Sequence, residues 1–130
     1  MATTKALVHD QLGHMLITID SLTATAVDDV LVGTDPVTLI ALDIDNTAGS
    51  TAAYVKIYDN ADPTVGTTLP KFVLPIAGSV RRQYTFTDAT GSGSPVTLTT
   101  ACSVAATQEA GTGGTTSPAS AVIVKLLLGA

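Results

Sequence analysis

Two histidines with an aspartate between them, His9, Asp10 and His14, are the first residues whose types suggest chemistry, either metal ligation or acid–base work. Their spacing keeps the histidines off a common helix face, and no third ligand lies nearby in sequence. They read as exposed side chains of an N-terminal segment. Asp43, Asp45 and Asn46 open like a calcium loop, but the glycine comes at Gly49 rather than at the sixth position and no glutamate closes the loop. That excludes an EF-hand. A looser cation site joining these carboxylates to Asp59 and Asp62 stays open beside their ordinary role of solvating strand ends.

Nucleophilic chemistry has little support. Cys102 alternates in phase with Leu98 and Val104, the pattern of a core residue, and no activating partner is indicated. Serine and threonine are plentiful, yet no Gly-x-Ser-x-Gly elbow occurs, and neither histidine is placed as a base against a nucleophile. The chain is not expected to be an enzyme, and no motif calls for a cofactor. The Gly-rich run from Gly111 to Pro118 lacks the lysine of a phosphate loop and reads as a flexible loop tip. Tyr54, Lys56 and Tyr58 share one strand face and form a possible ligand face, suited to stacking on a sugar or holding a peptide. The alternatives are a solvent face or a buried sheet contact with the lysine reaching outward.

The elements that position these residues are strands. Val37 to Asp45 reads as one, with Ile40, Leu42 and Ile44 on one face and Leu39, Ala41 and Asp43 on the other. Asn46 to Ser50 turns the chain, and Ala53 to Asp59 alternates as a half-buried strand. Pro70 and Pro75 bracket Phe72, Val73 and Leu74, which confines that segment to an edge or a bulge because proline donates no ladder hydrogen bond. Val80 to Phe86 alternates again, Gly91 to Pro95 is a turn, and Val96 to Val104 reads as a further strand. The last strand, Ala121 to Leu128, is apolar on both faces except at Lys125. It therefore lies under another segment, such as the N-terminal arm, or makes a subunit contact.

Short strands at about ten-residue spacing predict an all-β antiparallel β-sandwich of jelly-roll or Greek-key type over residues 34–130. Residues 1–33 are an N-terminal arm or the first strands of the same sandwich. Leu16 to Ile19 and Val30 to Val32 look like short strands there, while Ala6 to Met15 admits one or two helical turns.

Composition bounds the partners. The 130 residues suit one domain, and the charged fraction of 13% is about half the usual quarter, with 45% apolar residues. A surface this poor in charge suits a protein covered by partners. The net charge is −5, and the six Lys and Arg residues are scattered except for Arg81 and Arg82, so nucleic-acid binding is not expected. The first twelve residues lack the basic and apolar parts of a secretory signal, and no apolar run approaches the roughly 20 residues of a membrane helix.

The segment Tyr54 to Asp59, the run Asp62 to Thr67, Pro70, the run Leu74 to Ile76 and the apolar ending Val122 to Leu128 together resemble small virion proteins of tailed phages. Their shared traits are a strand with a lysine between aliphatic and tyrosine residues, a Pro-x-x-Gly-Thr loop and a proline-bracketed strand. Head decoration proteins, tail-associated proteins and fibre heads all carry them. The resemblance covers about Pro36 to Leu128. It implies a sandwich domain on a phage particle, made in the host cytoplasm and commonly clustered in threes, hence a homo-oligomer with a trimer favoured. The expected role is a capsid cement or decoration protein that binds the major capsid protein or other virion proteins. Leu39, Ile123, Leu127 and the arm are the expected subunit contacts. The alternative is a tail or fibre module that binds host-surface glycan through Tyr54, Tyr58 and the loop from Asp59 to Gly66.

Overall fold

The computed structural model describes residues 3–9, 14–28, 30, 36–86 and 96–129, with side chains described outside 5–9 and 14. Among the described residues the structure is all β, with nine strands and no helix. They are β1 (Thr3–His9), β2 (His14–Ile19), β3 (Val37–Asp45), β4 (Ala53–Tyr58), β5 (Phe72–Ile76), β6 (Arg81–Thr85), β7 (Val96–Leu98), β8 (Ser103–Thr107) and β9 (Ile123–Gly129). Two antiparallel sheets result. The larger runs β1-β2-β9-β3-β6, with β7 also pairing β3, and the smaller runs β5-β4-β8. Ile17, Ile44, Val124 and Leu126 of the larger sheet share one buried apolar cluster with Val55, Ile57 and Val104 of the smaller, as in a sandwich.

The first residues do not leave the domain as an arm. β1 pairs β2, and β2 pairs β9 from Met15↔Leu128 to Ile19↔Val124, so the segment extends the larger sheet. The helical reading of Ala6 to Met15 gives way for the same reason. β9 needs a partner along its edge, and the ladder it offers outweighs a weak local preference. Of the strand expected at Val30 to Val32, only Val30 is described. It is a buried turn residue whose N–H donates to the Cys102 carbonyl at 2.7 Å. Val27 bridges Val104, and with the bonds from Thr23 and Val30, residues 23–28 and Val30 run along the free edge of β8 and cover it. The turn expected at Gly91 to Pro95 lies outside the described residues.

Two further expectations need correction. The faces of β3 do not alternate throughout, because the register against β9 slips between Leu39 and Ala41. Ile40 is the extra residue of a β-bulge, so Leu39 and Leu42 both reach the core. The expected strand Val96 to Val104 is two strands: the chain leaves the larger sheet after Leu98 and enters the smaller at Ser103. Cys102, at the entry to β8, is fully buried, as its phase suggests. β5 is an edge strand, in agreement with its bracketing prolines.

Side chains and turns lock the sheets together. Between β5 and β6 the Phe72 and Phe86 rings pack with centroids 5.6 Å apart, and the Tyr84 hydroxyl donates to the Pro75 carbonyl. At one end, Asn46 holds two of the connections between the sheets: its Nδ2 donates to the carbonyls of Thr51 (2.9 Å) and Ala77 (3.1 Å), and its N–H to that of Val80. The two turns lie so close that a Cβ on Gly78 would stand 2.2 Å from the Ser50 carbonyl oxygen.

Candidate functional site

The outer faces of the two sheets are treated differently by the chain. On the smaller sheet the face expected to hold a ligand carries Tyr54, Lys56 and Tyr58 of β4, opposite Thr107, Ala105 and Ser103 of β8. Lys56 and Tyr58 are 0% exposed and Tyr54 is half-buried, so the trio is not an open platform. The Gly-rich loop after β8 closes this face. Lys56 Nζ donates to the carbonyls of Gly111 (2.7 Å) and Gly114 (3.2 Å), while Glu109 Oε2 accepts the Thr116 N–H at 3.2 Å. A Cβ on Gly66 would meet the Thr115 methyl at 2.6 Å, so the loop after β4 also abuts this cover. The run from Gly111 to Pro118 is therefore tied down rather than a free tip. Burial lowers the Lys56 pKa, opposed in part by Glu109, and burial raises that of Tyr58. The Tyr58 hydroxyl has no hydrogen-bond partner among the described residues.

The acidic residues considered for a cation do not converge. Asp59 turns to the corner between β7 and β8, where its carboxylate accepts the N–H groups of Thr99 (3.1 Å), Thr100 (2.7 Å) and Ala101 (3.2 Å). Burial works to raise its pKa, but these donors and the Thr99 hydroxyl outweigh it and hold the carboxyl below its usual range. Asp43 and Asp45 stand on the larger sheet, and no group of three or more metal-ligating residues occurs among the described residues. The side chains of His9 and His14, and all of Asp10, lie outside the described residues.

On the larger sheet, from β2 to β6, no outward side chain among the described residues is fully buried. The register sets these side chains in three rows across the strands. The first row is uncharged, with Leu16 on β2, Leu127 on β9, Ala41 on β3 and Thr85 on β6. The second holds Thr18, Lys125, Asp43 and Gln83. The third holds Ile123, Asp45 and Arg81, with Asp20 beyond the end of β2 lining the same depression. Arg81 grips Asp43 with two parallel hydrogen bonds, Nε to Oδ1 at 3.0 Å and Nη2 to Oδ2 at 2.9 Å. The Thr47 hydroxyl and N–H hold the Asp45 carboxyl below its usual pKa range and turn it toward its own loop. Lys125 makes no ion pair within 4 Å among the described residues.

Of the expected subunit contacts, Ile123 and Leu127 stand half-buried on this open face. Leu39 does not. The bulge at Ile40 directs it inward, where it is 0% exposed. The sequence reading missed Leu16, Asp43 and Arg81 as members of the same surface. Alternation placed Asp43 on a face and Arg81 in an alternating strand, and Leu16 was read only as part of a short strand; the pairing of β2, β9, β3 and β6 is what makes one surface of them. No family model, curated protein or solved structure matches the chain.

Proposed function

We propose that the chain is a non-enzymatic structural protein that acts by association, as a capsid cement or decoration protein on a tailed-phage head. The observation that carries this reading is the contrast between the two outer faces: the chain spends two loops covering the smaller sheet and leaves apolar Leu16, Ile123 and Leu127 open on the larger. An open sheet face that mixes apolar and charged side chains fits an interface. The titratable groups support a structural role as well, since Asp59 caps a corner, Asp43 pairs with Arg81 and Lys56 ties down a loop.

The mechanism is mass action. A protein that binds the assembled shell and not its free subunits stabilises the shell, by about 2.7 kcal/mol per site at a hundredfold excess over Kd. The partners are the major capsid protein or other virion proteins, with the particle as the site of action. The test is co-sedimentation of the purified chain with heads of the phage that encodes it, with Leu127→Arg as the surface variant. Wild type should pellet with heads and raise their melting temperature, and the variant should not. A wild-type chain that stays monomeric in the supernatant overturns the reading.

A further inference from the structure

The rows on the larger sheet are complementary to themselves, in one orientation only. A second copy can meet this face about a two-fold axis lying between the sheets, and the axis can run across the strands or along them. An axis across the strands through the middle row places Lys125 against the copy's Lys125 and Asp43 against its Asp43. Like charges so opposed disfavour that arrangement. An axis along the strands, between β3 and β9, exchanges β9 with β3 and β2 with β6. Lys125 then faces Asp43 of the other copy, Asp20 faces its Arg81, and Leu127 faces its Ala41. Asp45 comes opposite Ile123, which is tolerable because Thr47 already satisfies its carboxylate.

We propose that the open face of the larger sheet is a homodimer interface, in which a second copy of this chain packs face to face about a two-fold axis parallel to the strands between β3 and β9. This rests on the reading of the chain as an assembly subunit and names the first occupant of its open face. Lys125, which has no ion pair of its own among the described residues, gains one from the copy. Aligned packing of sheets about 10 Å apart leaves room for a lysine to reach an aspartate. The charges set the orientation and the uncharged row supplies most of the affinity. Four strand positions spaced about 4.8 Å, and seven residues at about 3.4 Å, give a face of roughly 19 by 24 Å. That is below the ~800 Å² per partner of a standard interface, so association in the micromolar range is expected. The shell then meets the pair through surfaces other than this face, with two attachments, so Leu127→Arg weakens head binding by breaking the pair.

Sedimentation equilibrium of the full chain from 10 µM to 1 mM tests this, together with two single-site charge reversals, Lys125→Asp and Asp43→Lys. Wild type should approach twice the 13.1 kDa chain mass. Each variant alone opposes like charges at two symmetric places, and its Kd should rise at least tenfold. Mixed in equal amounts they should form a heterodimer within about threefold of wild-type affinity, because both opposed pairs are again of opposite sign. Circular dichroism melts confirm that each variant is folded. A wild-type mass that stays at one chain at 1 mM, or rises to three chains, overturns the two-fold pair. So do variants that associate like wild type, or a mixture that fails to associate. If the pair fails while the chain still binds heads, the assembly reading stands; if head binding fails as well, both fall.

Discussion

Lys56 on β4 and Gly111 in the loop after β8 are joined by a hydrogen bond from the ammonium to the carbonyl, across 55 residues of sequence. A buried lysine carries a desolvation cost, and the two loop carbonyls it satisfies sit where water can replace it. Lys56→Met should therefore change global stability by less than about 1 kcal/mol, since an apolar side chain of similar length fills the same space. Locally the effect should be large. Hydrogen exchange at Gly111 to Thr116 should quicken at least tenfold while the strands keep their protection.

Tyr58 gives the opposite result. Its hydroxyl is buried without a partner among the described residues, so Tyr58→Phe should raise stability by about 1 kcal/mol in urea unfolding. The pH dependence follows from the same burial. The folded-state pKa of Tyr58 is raised, so above about pH 10 the unfolded chain loses the phenolic proton first and stability falls. Lys56 works the other way. Its folded-state pKa is depressed, so stability rises with pH from that value up to about 10.4, where the unfolded lysine also loses its proton. The Tyr58→Phe variant should lose the alkaline decline and keep the rise.

Asp59 governs the acid limb. A carboxyl whose folded-state pKa is depressed contributes stability that is fully present above the unfolded value of about 3.9 and is lost as pH falls through the folded value. Asp59→Asn should cost about 1–3 kcal/mol at pH 7, because the new amide turns a donor toward backbone donors at Thr99 or at Thr100 and Ala101. Urea unfolding of both proteins between pH 7 and 2 checks this. The two curves should converge at the acid end.

The end of the sandwich held by Asn46 is the most sensitive to a single methyl. Gly78→Ala should cost about 3 kcal/mol, since the added carbon meets the Ser50 backbone rather than a side chain that could move. Ser79, at φ +62°, is in the left-handed region, so Ser79→Gly should be neutral or slightly stabilising. Thermal melts of the two variants should move apart by several degrees.

The strands that sequence made legible are those with one buried and one open face. β3 from Ala41 onward is the clearest case: Leu42 and Ile44 are buried while Ala41 and Asp43 face outward, as alternation suggests. Where two faces are buried, or the chain changes sheet, the local pattern misleads. β4 alternates like a solvent-facing strand, yet Lys56 is covered by residues more than 50 positions away, which no window on the strand contains. The alternation from Val96 to Val104 is interrupted only at Thr100, yet the chain turns a corner there, fixed by Asp59 from the end of β4. Leu39 was misplaced by one inserted residue, because the bulge at Ile40 is specified by pairing with β9 and not by composition. The open face was legible as single residues and not as a surface, since its rows are made of four strands far apart in the chain.

The single cysteine makes the sandwich its own clock. Cys102 is sealed in the core, so a thiol reagent reaches it only when the sheets part, and the pace of modification reads out how often that happens. No engineered label is needed. Any contact that clamps the fold, whether a twin chain or a particle surface, should reveal itself as a slower reaction at this one sulfur.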